Sequence, residues 1–282
     1  MIAINPKLKT VHEPAERPGQ VASLSHGASV AGSLRAELSF TVEIQGSNTK
    51  GTAGRIGAIL QACAHDEVAS AGSSVTYTPA SGTFASVTAY LYKDGRLHII
   101  TGARGTAKMQ TPANKTATLE VSLQGLYTAP TDVALPAVSA GNLEATVPPV
   151  CKGQSVSLNS VTTLAIESAE LDFGINVAAL PSKVSATGIG SVQVTGRKPT
   201  LVLNPEAVAI STLDLRSKLG VPIAYTEVIG SASGNKITIS VPKFNPLDLE
   251  YADREGVTVE NIKGECARNT DAGNNEYSIL FE

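Results

Sequence analysis

The sequence predicts a mostly β fold of the α+β class, arranged as two tandem domains of one plan. Three observations predict it. Apolar and polar residues alternate with period two in stretch after stretch, which buries one face of each stretch and wets the other. Thr, Ser and Val are abundant and suit a pleated, half-buried surface, whereas aromatics make up only 4% of the chain and Trp is absent. The order strand, short helix, strand, further strands occurs twice within 282 residues, a length above the ~150 of one typical domain.

Residues 1–30 contain Pro14, Pro18 and Gly19 and few large apolar side chains, and they read as an extended arm. AELSFTVEIQ follows, with Leu38, Phe40, Val42 and Ile44 alternating against Ser39, Thr41, Glu43 and Gln45, a strand. GSNTKG is a loop. TAGRIGAILQACAHD places Ile56, Ile59, Leu60 and Cys63 at helical spacing, a short amphipathic helix. SVTYTP is a strand. SVTAYLYKDGRLHIIT is a hairpin, because Asp94-Gly95 between two alternating runs suits a two-residue primed turn. The chain then bends through GARG and returns as the strand TATLEVSLQGLY, with Leu119, Val121 and Leu123 on one face.

Residues 129–153 hold Pro130, Pro136, Pro148 and Pro149 and show neither period, so they are the expected linker between a first domain at 31–128 and a second at 154–282. In the second half, SVTTLAIESAELDFG and SVQVTGRKPTLVLNPE read as strands. EAVAISTLDLRSKLG reads as a helix with Val208, Leu215 and Leu219 on its inner stripe. PIAYTEVIG, NKITISVP, GVTVENIKGECA and EYSILF are further strands. KPTLVLNPE lines up with AELSFTVEIQ, and GVTVENIKGECA with TATLEVSLQGLY, as a repeat of pattern.

Composition narrows the function classes. Twenty-two basic and 25 acidic residues give a net charge of -3, so the chain lacks the basic surplus of a general nucleic-acid binder and has no pull toward anionic membranes. Cys63, Cys151 and Cys266 lie far apart, without a disulfide framework or zinc-ligand spacing, as expected for folding in a reducing cytoplasm. The N-terminus has no apolar core of a secretory signal, and no apolar run approaches the ~20 residues of a membrane helix.

The most suggestive motif, TGARGTAK, fails as a phosphate loop. Gly102 and Gly105 stand two residues too close for G-x-x-x-x-G-K-[ST], and Lys108 does not follow the second glycine. The following sequence is strand-like, so no helix N-terminus waits for an anion. A glycine-bearing corner between two strands is the expected reading. Asp248, Glu250, Asp253 and Glu255 in LDLEYADREG lack the order of a calcium loop and read as solvated carboxylates on a strand, with a turn near Glu255-Gly256. His12 and His26 fall in the arm. His65 is expected at a helix end, where its cation suits the helix dipole, and His98 alternates out of a strand. No G-x-S-x-G elbow occurs. The sequence advertises no catalytic, cofactor-binding or metal site, and it fits an assembly subunit instead.

The succession LSFTVEIQGS, TAGRIGAILQACAHDE, SSVTYTPAS, DGRLHIITGARGTAKM and LEVSLQGLYTAPTDVALP resembles the major tail tube proteins of long-tailed (siphovirus-type) bacteriophages, in a two-domain form. VTGRKPT, GNKITISVPK and YADREGV resemble the C-terminal half of the same family. HIITGARGT and LQGLYTAPTDVALP are the most specific pieces, and the N-terminal segment is shorter than the family's pattern.

The resemblance implies a structural virion protein without enzymatic activity or cofactor. Its domains would each be two packed β-sheets, a sandwich or half-barrel, flanked by a short helix. Subunits would form rings around a lumen, stacked head to tail into the tube that delivers DNA to the host. With two domains per chain, three copies would close a pseudo-hexameric ring. The partners would be other copies, a tape measure protein, and tail terminator and distal tail proteins. DNA would pass without specific binding, and no membrane is involved. Assembly would take place in the host cytoplasm and end in the virion tail. Arg104 and Lys108 are expected at inter-subunit contacts, and the arm and the loop GSNTKGTAGR at the next ring. The alternatives are a distal tail or baseplate hub ring, which would not polymerise, and a secreted β-sandwich binding module.

Overall fold

The computed structural model describes residues 2–16, 28–137, 146–153 and 155–282. The first half contains β1 (Ala3–Ala15), β2 (Val30–Glu43), α1 (Gly57–Ala62), β3 (His65–Ser70), β4 (Ser74–Pro79), β5 (Val87–Lys93), β6 (Arg96–Pro112), β7 (Thr118–Tyr127) and the two-residue β8 (Thr131–Asp132). The second contains β9 (Ser155–Leu158), β10 (Ile166–Asp172), β11 (Ile175–Pro181), β12 (Ile189–Arg197), β13 (Thr200–Pro205), β14 (Ile223–Ile229), β15 (Ile237–Arg254), β16 (Val257–Cys266) and β17 (Ser278–Phe281). The fold is mostly β, as the alternating patterns require.

One large sheet runs in the order β1-β2-β7-β6-β10-β13-β16-β15-β17-β4-β3, with β5 and β8 against β6, β14 against β15, and β9 against β14. The pair β11–β12 forms a separate two-stranded sheet. The large sheet buries an apolar face. A single buried cluster collects Val42, Tyr77, Leu119, Leu171, Leu203, Tyr225, Val241, Ile262 and Ile279 from strands of both halves.

The order β2-β7-β6 recurs as β13-β16-β15, and the flanking strands recur too. β1 lies beside β2 as β10 lies beside β13, and β5 lies against β6 as β14 lies against β15. Register shifts fall at matching places. β1–β2 shifts between Ile4 and Lys7, and β10–β13 between Ile166 and Ala169. β5–β6 shifts between Val87 and Ala89, and β14–β15 between Ile223 and Tyr225. β6–β7 shifts between Thr101 and Arg104, and β15–β16 between Pro246 and Asp248. Such bulges bend a strand at a fixed point, so matched bulges give matched curvature.

The hairpin turn at Asp94-Gly95 forms as its sequence dictates, with φ of 48° and 73°. Glu255-Gly256 makes the corresponding turn between β15 and β16. Three expectations need correction. TGARGT is not a corner between strands: β6 continues through it to Pro112, and Gly102, at φ 59°, sits in the bulge between Thr101 and Arg104. The chain reverses later, after Pro112. The expected helix at 206–220 is absent apart from a 3-10 turn at Arg216–Lys218. Its backbone is engaged elsewhere, since Ala207 N–H donates to Thr258 O, and Asp214 Oδ1 accepts from the amides of Arg216 and Ser217. Asp and Ser compete with helix bonding in this way. Leu213 and Leu215 are buried there, whereas Leu219 is exposed. α1 is shorter than its pattern, because the chain turns at Ala64, φ 57°, and enters β3 at His65.

The arm is extended: β1 spans its N-terminal part and pairs antiparallel with β2. Its residues 17–27, including His26, lie outside the described residues. Part of the expected linker, 138–145, lies outside them as well. The rest is tied to the first half by β8 on β6 and by Cys151 N–H donating to Lys115 O.

Candidate functional surface

The central strands carry two faces. On β6 the inward residues Ala103, Gly105, Ala107, Met109 and Thr111 are buried, while Arg104, Thr106, Lys108 and Gln110 point to the other face. The backbones crowd at Gly105, where a Cβ would stand 1.9 Å from Ser122 O of β7.

Registers across the sheet align the outward residues into rows. One row reads Thr41, Glu120, Lys108, Asp172, Thr200, Glu265, Asn245 across seven strands. The neighbouring row reads Glu43, Thr118, Gln110, Glu170, Val202, Lys263, Asp248. Six carboxylates face two lysines in these rows, so the face is acidic. Glu170 and Asp172 flank Lys108 Nζ, each at 3.4 Å, and hold its pKa above the usual lysine value. Gln110 Nε2 donates to Glu170 Oε2 at 3.1 Å, and Lys198 Nζ lies 3.4 Å from Glu265. Glu120 and Asp248 are exposed.

Lys108 therefore binds within its own chain, across the junction of β6 with β10. Arg104 is also satisfied internally, donating to the carbonyls of Ala85 (3.1 Å), Phe84 (2.8 Å) and Val192. The loop 46–55 packs on its own chain, with Gly46 N–H on Asn235 Oδ1 and Asn48 N–H on Gly234 O.

His65 does not carry the expected cation. It is buried, and loss of water pushes its pKa down to about 4, so the ring is neutral. Nδ1 donates to Leu60 O and Cys63 O, which leaves Nε2 to accept from Tyr277. His98 is half-buried on β6 and His12 is exposed on β1, where Nε2 accepts from Gly32 N–H. Asp248, Glu250, Asp253 and Glu255 are all exposed. Burial pushes the thiols of Cys63 and Cys266 up to about 12, away from reactivity. Among the described residues no three His, Cys, Asp or Glu gather as a metal would need, and no helix is long and apolar enough to cross a membrane. A cleft of about 300 Å³ beside Ser81 and Phe84 is lined by Arg197, which is already spent on Glu276, Asn274 and Ala80 O.

The surface that stands out is thus an extended acidic face of a β-sheet. The family model for phage tail tube proteins matches residues 16–273. The chain belongs to the phage tail tube protein family. A tail tube protein is a structural component of the virion tail and self-assembles into a tube. That accounts for a wide sheet with neutralised internal charges in place of a pocket with convergent polar groups. A comparison with curated proteins finds no match. Sequence reasoning found the alternating strands that build the acidic face but not the face itself, because the adjacency of β6 and β10 joins residues some sixty positions apart.

Proposed function

We propose that this chain is the major tube subunit of a long phage tail: copies close rings around a lumen, and rings stack into the conduit that delivers DNA. The observation that carries this reading is the acidic face continuous across both halves of a tail tube protein. Turned toward a lumen, it repels phosphates and releases few counterions, so DNA slides without sticking. The arm, the domains at 31–128 and 154–282 and the linker at 129–153 serve this plan. The recurring strand order supports reading each chain as two ring units, with three chains closing a pseudo-hexameric ring. Head-to-tail contacts between ring faces never close, and the stack grows as a filament. A tape measure protein sets its length, and terminator and distal tail proteins cap it. Assembly takes place in the host cytoplasm.

Electron microscopy of the purified protein across a concentration series tests this. Hollow tubes, with rings averaging to three-fold symmetry, are the expected result. A hexamer or dimer in a mass measurement would refute the trimer. Single rings that never stack would favour the distal tail or baseplate reading.

A further inference from the structure

We infer that the two halves hold each other by exchanging hairpins, and that Arg104 and Arg197 form a latch that makes the two hairpins open and close as one unit. The latch lies within one chain and does not depend on the ring reading above.

Each half lends one hairpin to the other. β3 and β4 belong to the first half by sequence, yet β4 pairs with β17 over Val75–Tyr77, and β17 pairs with β15. Among the described residues β3 and β4 pair with no other strand of the first half. The rings of His65 and Tyr77 meet those of Tyr277 and Phe281 across this seam. β11 and β12 lie between β10 and β13 in the second half, yet they pack on β6 and β7 of the first. Ile175 N–H donates to Thr106 Oγ1 at 3.1 Å, and Leu34 N–H donates to Thr187 O at 2.8 Å.

The roots of the two hairpins meet. Ala80 N–H donates to Ala64 O at 2.8 Å at the root of β3–β4, and Lys198 N–H donates to Gly174 O at 2.9 Å at the root of β11–β12. Ala64, Ala80, Ile175 and Arg197 line the same cleft of about 300 Å³. The loop 80–86 carries the chain past this cleft, from β4 back to β5.

Two arginines, one from each half, grip that loop. Arg104 on β6 donates to Phe84 O at 2.8 Å and Ala85 O at 3.1 Å, and its Nη1 reaches Val192 O on β12. Arg197 on β12 donates to Ala80 O and to Ser81 Oγ at 3.2 Å, and its other donors reach Asn274 Oδ1 at 2.7 Å and Glu276 Oε1 at 2.9 Å. Each guanidinium therefore ties the return loop of β3–β4 to β12. A planar fork of five donors can span several fixed acceptors, which the compact ammonium of Lys cannot. Neither hairpin leaves its place without loosening the grip on the other.

Native-state hydrogen exchange on the full, unassembled chain tests the latch, because it reads local opening segment by segment. One variant carries Arg104→Met. A second carries Arg197→Met with Glu276→Gln, so that no buried carboxylate is left unpaired. Arg96→Met, exposed at the β5–β6 turn, is the control. Each latch variant is expected to speed exchange at least tenfold across both 65–79 and 175–197 while β7 and β16 keep wild-type rates, and the control to change neither hairpin. Arg104→Met decides, because Arg104 bonds to β12 and the loop but to neither β3 nor β4. Faster exchange in 175–197 alone would reduce Arg104 to a local bond and overturn the latch. An equal rise in β7 and β16 would show a general loss of stability and overturn it too. Either result leaves the tube reading untouched.

Discussion

The hydroxyl of Tyr277 lies 2.8 Å from Nε2 of His65, although 212 positions separate them in the chain. Phe173 completes the cluster, its ring 4.6 Å from His65 and stacked 5.5 Å from Tyr277. Three remote segments meet at one neutral imidazole. Its pKa is lowered from 6.5 to about 4 by burial, with the nearby Arg197 adding to the effect. The unfolded chain therefore takes up the proton first as pH falls. The stabilisation is complete above about pH 6.5 and declines until about pH 4, by up to roughly 3 kcal/mol at 1.36 kcal/mol per unit. Urea titrations between pH 7 and 4 should show this decline, and His65→Gln should flatten it while lowering stability at pH 7. A variant with the same acid slope as wild type would show that other groups cause it.

Glu227 carries the opposite sign. It is buried, accepts from Tyr225 OH at 2.8 Å and Thr111 Oγ1 at 2.9 Å, and burial raises its pKa despite both donors. A carboxyl with a raised folded pKa contributes stability at acid pH that is lost as pH rises through that value. Glu227→Gln keeps an acceptor for the two hydroxyls and removes the titration. The variant is expected to match wild type near pH 4 and to melt higher at pH 8. Equal melting temperatures at both pH values would refute this account of the site.

Much of the fold was legible because alternation is a local property. The strands around Leu38–Val42, Leu119–Leu123 and Ile237–Val241 follow directly from period two, and Asp94-Gly95 dictates its own hairpin. What escaped is non-local or contested. The spacing of Val208, Leu215 and Leu219 is helical, yet Asp214 and Ser217 take the backbone groups a helix would use. His65 reads locally as a helix-end cation, but Phe173 and Tyr277 cover it from remote segments. No local pattern places β17 between β15 and β4, or β10 against β6. The acidic rows depend on those adjacencies, so they could not be read before the sheet order.

The two glycines of TGARGT should differ in their tolerance. Gly102 holds φ 59° with no atom near its absent Cβ, so Gly102→Ala meets backbone strain alone, about 1–2 kcal/mol. Gly105 has ordinary φ, but its Cβ would stand 1.9 Å from Ser122 O and 2.8 Å from Leu123 Cα. Both are backbone atoms of the paired strand, so β6 and β7 must separate, and Gly105→Ala should cost more than about 2 kcal/mol. Chemical denaturation ranks the two variants. A milder effect at Gly105 than at Gly102 would contradict the close approach of the strands.

The acidic face makes a prediction about function itself. Glu43, Glu120 and Glu265 stand in the two outward rows, and replacing all three with Lys reverses the charge surplus there. None is buried, so the fold should survive, and ion pairs this exposed contribute at most about 1 kcal/mol each. Wild-type tubes should leave short duplex DNA free at about 150 mM salt, because like charges repel and no counterions are released. Tubes of the triple-lysine variant should bind it, and binding should fall steeply with salt, with a log–log slope of about -0.9 per phosphate neutralised. Fluorescence anisotropy of labelled DNA reads both. Wild-type tubes that bound DNA with such a slope would show that a basic surface, and not these rows, meets the DNA.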